Sequence, residues 1–215
     1  MEGSTAVMGA QPVVTKTLTR RVSMANNAGV PIATEPLHQG EEFSPLVWLV
    51  GAHGGAGTTS LAHAIAAFGD AGQQWPAEDE FPWTVIVART TREGLEAAHD
   101  TALQAQAGKC GDCKVLGVIL VADAPGKMPK AIEQRMTVLE RVVPTIWTVD
   151  YHSSWRETLT KDRPQWSPLD DEPEPIERKW WQKNKTDHTP DTIPGAVQEM
   201  AEEIIDRARQ AQKHL

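Results

Sequence analysis

Between residues 46 and 150 the chain switches repeatedly between two kinds of hydrophobic pattern. Short continuous apolar runs fall at Leu46–Val50, Trp83–Ala88, Val115–Ala122 and Pro144–Val149. Runs of that length read as strands buried on both faces. Between them lie segments of helical period: 58–68, rich in Ala, Leu and Ile, and 91–107, with Leu95, Ala98, Ala102 and Ala105 on one face. A third starts at Pro129 and carries Ile132, Met136, Leu139 and Val143; proline suits a first helical turn. The order β-α-β-α-β-α-β predicts an α/β domain, a small doubly wound parallel sheet with right-handed crossovers. In such sheets ligands sit at the carboxyl ends of the strands. Here those ends carry a glycine turn, Arg89-Thr90, Asp123 and Asp150-Tyr151-His152.

The flanks are patterned differently. Residues 1–44 show no sustained period; Val13-Val14 and Val30-Pro31-Ile32 are too short and broken to count as strands. This predicts a largely disordered N-terminal arm, with a docking segment near Phe43. Residues 157–193 are rich in proline and charge, with Trp166 and Trp180-Trp181 as apolar anchors. Such a strap either packs its tryptophans on the domain or serves as a partner-binding segment. Residues 194–213 predict an amphipathic helix, with Val197, Ala201, Ile204, Ile205 and Ala208 on one face. The pattern does not say whether that face covers this domain or another chain. The domain organisation is thus an arm over 1–44, an α/β domain over 45–156, and a C-terminal Trp-rich strap plus helix over 157–215.

The turn after the first strand is the most informative stretch. Leu46 to Val50 leads into Gly51, Gly54, Gly55 and Gly57, and Thr58-Thr59-Ser60 opens the helix. Strand, glycine turn and helix start together place free backbone N–H groups and a positive helix end around an anion. A phosphate loop reads G-x-x-x-x-G-K-[S/T]. Here Gly57 is its second glycine, Ala52 stands at the first position, Thr58 replaces lysine, and Thr59 keeps the hydroxyl that faces Mg²⁺. Losing that lysine removes a charged hydrogen bond of about 1.5–3 kcal/mol, roughly ten- to a hundredfold in affinity. The expected ligand is therefore ATP or ADP with Mg²⁺, held weakly by Gly54, Gly55, Gly57, Thr58, Thr59 and Ser60. Gly51, Gly55 and Gly57 also satisfy the G-x-x-x-G-x-G turn of a Rossmann dinucleotide domain, and an empty glycine turn is the third reading. Sequence leaves these alternatives open: a phosphate-loop NTPase-like or a Rossmann-like sheet.

Composition narrows the partners. The chain is 40% hydrophobic and 23% charged over 215 residues, with net charge −8. The one small basic cluster, Lys16 with Arg20-Arg21, reads as a solvated tail, so no direct nucleic acid is expected. No apolar run reaches the roughly 18–20 residues of a membrane span, the first residues lack a signal-peptide pattern, and two cysteines make no disulfide framework. A cytoplasmic protein is expected, working with a protein partner through residues 157–215; a homodimer is one assembly open to it.

The remaining chemistry is sparse. A phosphate-loop ATPase needs an acid ending a nearby strand to hold Mg²⁺. The strand read as following the loop's helix ends in Val87-Ala88-Arg89, without an acid; Asp123 and Asp150 end later strands. A short-chain dehydrogenase needs Tyr-x-x-x-Lys, and Tyr151 is followed four residues on by Trp155. Arg89, read as ending the second strand, would suit a 2′-phosphate of NADP. Cys110-Gly-Asp-Cys113 precedes a strand, unlike a thioredoxin site; it reads as an inert pair or as half a metal site completed elsewhere. His53 offers a titratable group to a phosphate. No residue is assigned a catalytic role.

Gly51-Ala-His-Gly-Gly-Ala-Gly-Thr-Thr-Ser60 resembles the deviant phosphate loop of ParA/MinD-type ATPases, G-K-G-G-x-G-K-[T/S]-T, with His53 at the signature lysine and Thr58 at the second. Val85–Thr90, Leu116–Gly126 and Val143–Trp147 are similar in turn to an uncharacterised actinobacterial family of degenerate MinD-like proteins, associated with mobile and conjugative elements. The resemblance covers about residues 45–156. It implies a phosphate-loop-like fold with Gly54, Gly55, Gly57, Thr58 and Thr59 at the phosphate positions. Both lysines are replaced and the acidic strand is missing from the pattern. The expectation that follows is a non-hydrolysing nucleotide-binding or adaptor protein of a mobile-element or partitioning-type system. The alternatives are an NADP-binding Rossmann protein without its Tyr/Lys pair and a pure interaction adaptor.

Overall fold

A computed structural model describes residues 29–38, 44–170 and 192–213. Its centre is a five-stranded, all-parallel sheet. The strands are β1 (Val47–Gly51), β2 (Phe68–Asp70), β3 (Trp83–Arg89), β4 (Lys114–Val121) and β5 (Ile146–Val149). The helices are α1 (Thr58–Ala64), α2 (Arg92–Gln106), α3 (Lys130–Leu139), α4 (Ser154–Glu157) and α5 (Gly195–Gln212), with a 3-10 turn at Thr160–Asp162. Strand order is β2-β1-β3-β4-β5. This is the doubly wound order in which the chain leaves β1 one way, to β2, and then resumes on the other side at β3.

Both faces of the sheet are covered, which is why its strands read as unbroken apolar runs. Alternate residues supply two cores. Val47, Leu49, Val85, Val87, Ile119 and Val149 face α1 and α5. Trp48, Val50, Ile86, Ala88, Val118 and Leu120 face α2 and α3. Helices α1 and α2 therefore lie on opposite faces, and the crevice between the ends of β1 and β3 is the switch point of the fold. Thr91 caps α2, its side chain accepting from the Gly94 N–H at 3.0 Å.

Helix α5 settles which surface its apolar stripe covers. Val197, Met200, Ala201, Ile204, Ile205 and Ala208 are all buried against the sheet of the same chain. The indole N–H of Trp147 on β5 donates to Glu203 at 3.0 Å, tying helix to strand. That stripe is core, so a partner has only the polar side of the helix to meet.

Several sequence-based boundaries move. The first helix, expected over 58–68, ends at Ala64, where Ile65 turns extended. Ala64 to Phe68 has good helix formers, but the backbone is claimed by pairing: Ala67 O accepts from Leu46 and Val47, and Trp166 exchanges hydrogen bonds with Ala64 and Ala66. The chain that follows builds β2, the fifth strand that the hydrophobic pattern did not show. Gly69 sits under the Trp48 ring, where an added Cβ would lie 2.6 Å from ring carbons. The arm reading does not hold over its described part. Residues 29–38 pack on the domain, with Val30 buried, Ile32 bridged to Trp75, and Val30 O accepting from Gln104 Nε2. Phe43, Val13-Val14, the Lys16/Arg20-Arg21 cluster and Trp180-Trp181 lie outside the described residues.

Candidate functional site

The glycine turn leaves the sheet at the switch point, held on both sides. Gly51 N donates to Gly72 O beyond β2 at 2.6 Å, and Ala52 N donates to Val87 O on β3 at 2.9 Å. Gly55 (φ 75°) and Gly57 (φ 112°) take the left-handed conformations that turn the chain back into α1. Gly57 is the N-cap, and the first bond of the helix runs from Leu61 N to Gly57 O. The N–H groups of Thr58, Thr59 and Ser60 precede that bond, as the first-turn donors of a helix must. Gly54 and Gly55 are exposed.

The three hydroxyl residues then part company. Thr58, at the lysine position of the motif, is buried. Thr59 is exposed and donates its hydroxyl to Asp70 Oδ2 at 2.5 Å. Ser60 turns the other way, its Oγ accepting from Arg163 Nη1 at 2.8 Å. Asp70 ends β2, and its second oxygen accepts from Gly72 N at 2.9 Å, the local turn that aspartate forms with the backbone two residues on.

Asp70 corrects the sequence reading in two respects. A strand ending in an acid does lie between the loop's helix and β3, and that acid touches the hydroxyl of the loop. Arg89 ends the third strand in chain order, so it does not stand where a 2′-phosphate of NADP would be read. Its Nε donates to Gly55 O at 3.1 Å and its Nη1 to Ala122 O at 3.2 Å, so the guanidinium bridges the glycine turn to the end of β4. His53 has a similar bridging role. Its Nε2 accepts from the Arg89 backbone N–H at 3.0 Å, which puts the proton on Nδ1, facing Gly54 O at 3.0 Å. The ring is a strut across the switch point.

Among the described residues no three His, Cys, Asp or Glu side chains converge on a metal position. Mg²⁺ rarely needs them: one or two carboxylates plus phosphate oxygens and water suffice. The Thr59 hydroxyl and Asp70 carboxylate, side by side and open to solvent, fit that demand as a donor set. Asp123 is exposed beyond β4, its N–H donating to Thr90 Oγ1 at 3.2 Å. Asp150 is exposed at the end of β5. Neither contacts Thr59 or Asp70.

A family model matches residues 45–166, described as a family of unknown function (DUF6668). The chain belongs to that family. No curated protein and no solved structure matches it. The DUF6668 match runs ten residues past the boundary read at 156, and the added residues belong to the site. Residues 157–166 bring Arg163 beside α1. There it donates to Ser60 Oγ, to Thr158 O at 3.1 Å and to Trp155 O, and it stacks on the Trp155 ring. Burial pulls its pKa below the ordinary arginine value.

Beside Gly57 and Ser60, at the ends of β4 and β5, lies a cavity of about 150 Å³. Arg89, Arg156 and Arg163 line it, with Tyr151 and Trp155. Arg156 donates to the Tyr151 hydroxyl at 3.4 Å and lies over its ring. Nothing in the sequence motifs singles out Arg156 or Arg163; one ends the stretch read as the α/β domain, the other lies in the proline-rich segment, and only the fold brings them to the loop. Asp70 left a faint signal, the Asp-x-Gly turn at Asp70–Gly72.

The cysteine pair lies at the other end of the sheet, in the loop entering β4. Both thiols are buried and unpaired as a disulfide, Cys110 Sγ facing Cys113 O at 3.5 Å. Burial raises the Cys110 pKa, and burial with the neighbouring Cys110 pushes Cys113 up to about 12. Both stay protonated thiols at neutral pH, poor metal ligands and poor nucleophiles. No described helix is long and apolar enough to cross a membrane.

Proposed function

We propose that this protein binds a nucleotide with Mg²⁺ at the glycine turn and acts through the bound state rather than through turnover. The observation that carries the reading is the Thr59–Asp70 contact beside the turn. A hydroxyl at the motif's Ser/Thr position, touching an acid at the end of the neighbouring strand, is the pair that a phosphate loop uses to seat Mg²⁺. Thr59 and Asp70 would hold the ion, which would supply positive charge against the phosphates. The chain's own part is positioning: Gly55 and Gly57 let the backbone approach the phosphates, and His53 and Arg89 brace the turn against β3 and β4. With Thr58 buried in place of lysine, no described side chain on the turn brings a cation over the transferred phosphate, so binding without efficient hydrolysis follows. This agrees with the resemblance to degenerate ParA/MinD-type proteins, which supports an interaction role in a mobile-element or partitioning-type system. The protein partner would meet surfaces outside the buried stripe of α5.

One observation favours a second reading. Asp70 ends the strand next to β1 about twenty residues beyond Gly51, the place from which a Rossmann acid reaches an adenine ribose. An acid there suits NAD⁺ and repels the 2′-phosphate of NADP⁺, reversing the preference inferred from Arg89.

Thermal unfolding of the full chain with ATP–Mg²⁺, ATP plus chelator, NAD⁺ and NADP⁺ separates these. Ligand at about a hundred times its dissociation constant stabilises by about 2.7 kcal/mol. The first reading expects stabilisation by ATP only with Mg²⁺, lost in Asp70→Asn. Stabilisation by NAD⁺ without metal would transfer the site to the second reading. Silence with every ligand would overturn both.

A further inference from the structure

We propose that the cavity lined by Arg89, Arg156 and Arg163 is a separate oxyanion site, taking a phosphate as the free ion or as a small phosphomonoester. It lies against Gly57 and Ser60 on the side of α1's first turn that Ser60 faces, while Thr59 and Asp70 pair elsewhere.

Three arginines share this cavity, and none makes an ion pair with a carboxylate among the described residues. Their partners are neutral: Gly55 O and Ala122 O for Arg89, the Tyr151 hydroxyl for Arg156, and Ser60 Oγ, Thr158 O and Trp155 O for Arg163. Neutral acceptors fix a guanidinium in place without cancelling its charge. Each guanidinium has five N–H donors, so all three keep donors to spare. Among the described residues the only acid on the cavity wall is Asp150, which leaves that lining net positive. Charge held in a partly desolvated site is costly unless an opposite charge arrives. The guanidinium fork matches a tetrahedral oxyanion in both shape and charge.

Size limits the ligand. Cavities that enclose drug-sized molecules run to about 300–1,000 Å³; about 150 Å³ here admits one phosphate group with a small carrier. The location also fits: the carboxyl ends of β4 and β5 are where a doubly wound sheet presents ligands. Arg163 also pins the strap to α1 through Ser60, and Arg89 braces the glycine turn against the end of β4, but each joint uses only part of the five N–H groups, and Arg156 serves no such joint.

The test is titration of the full chain with inorganic phosphate and with ribose 5-phosphate, without divalent metal, against chloride at equal ionic strength. Thermal shift and calorimetry provide the readouts. The site expects saturable stabilisation beyond the chloride control, weakened about tenfold or more in Arg156→Gln and kept in Asp70→Asn. Arg156 is exposed, so Arg156→Gln should fold even if Arg163→Gln loosens the strap. A tighter constant for ribose 5-phosphate assigns a phosphomonoester; an equal or weaker one assigns the free ion. Binding unchanged in Arg156→Gln, or no stabilisation beyond chloride, would overturn the proposal. Binding lost in Asp70→Asn but kept in Arg156→Gln would place the anion in the glycine turn instead, leaving the nucleotide reading standing and this one not.

Discussion

The seam around Trp75 and the mouth around the glycine turn lie in the same small domain and follow opposite rules. At the seam, Trp75 is fully buried, Val30, Cys110 and Cys113 close around it, and residues 29–38 are laid over it with paired backbone bonds. At the mouth, Gly54, Gly55, Thr59 and Asp70 are open to water. One region spends its residues on excluding solvent, the other on holding polar groups where solvent or a ligand can reach them. The difference separates stability from binding, and substitutions should separate along the same line.

The largest effect would strike both regions at once. Truncation before Pro194 removes α5 and uncovers the sheet face that Ile204 and Ile205 seal. Cooperative thermal unfolding should disappear. Ile204→Ala is the milder version, costing about 2–5 kcal/mol by denaturant titration. A truncated chain that still melts cooperatively would show that α5 is an accessory to the core.

Next comes the seam itself. Trp75→Ala should cost about 3–5 kcal/mol while leaving ligand affinity for the surviving folded fraction unchanged. Trp75→Phe should cost much less, because the Trp75 indole N–H is buried without a partner and an unpaired buried donor carries a penalty of about 1–3 kcal/mol. If Trp75→Phe were as damaging as Trp75→Ala, the seam would depend on the indole shape and not on burial. Thr84 on β3 makes a related case at the sheet centre. Its hydroxyl is buried and unpartnered, so Thr84→Val should leave stability unchanged or raise it by up to about 1 kcal/mol.

These contrasts show which parts of the molecule sequence could reveal. Continuous apolar runs are legible because a parallel sheet covered on both faces demands them, so β1, β3, β4 and β5 stood out. Strand β2 did not. Its three residues follow a stretch with helix propensity; the bridge between Ile65 and Trp166 stops that helix, and pairing to β1 makes the three extended. With β2 hidden, Asp70 was hidden too, and Arg89 took its place in the count of strands. The glycine turn was legible as local geometry. The arginine cavity was not, because Arg89, Arg156 and Arg163 belong to segments that meet only after the strap folds back across α1.

The thiols give the seam a chemical signature. Cys113 has its pKa raised to about 12 by burial and by Cys110, while in the unfolded chain it titrates near its ordinary value of about 8.5. Folding therefore holds a proton that the unfolded chain releases, and stability from this group is complete below the unfolded pKa. It is lost as pH rises from about 9 toward 12. Alkaline melts should fall more gently in Cys113→Ala than in the parent across that window. A neutral-pH thiol reagent should label neither cysteine until the chain unfolds; rapid native labelling would show the seam opening on its own.

At the mouth the expected change in stability is the smallest and the change in binding decisive. Thr59 and Asp70 are exposed, and a hydrogen bond in such a place contributes about 0.5–1.5 kcal/mol at most. Thr59→Ala and Asp70→Asn should each shift the denaturant midpoint by no more than that, with an unchanged slope. On the proposed reading both remove a Mg²⁺ ligand, so ATP–Mg²⁺ stabilisation should vanish in both, while ATP without metal should give none in any variant. Thr59→Ser keeps the hydroxyl and should retain binding, which a merely structural role for Thr59 would not require. If Asp70→Asn instead destabilised the fold as strongly as Trp75→Ala, the Thr59–Asp70 pair would be a clamp for the edge strand β2. The mouth would then obey the same rule as the seam.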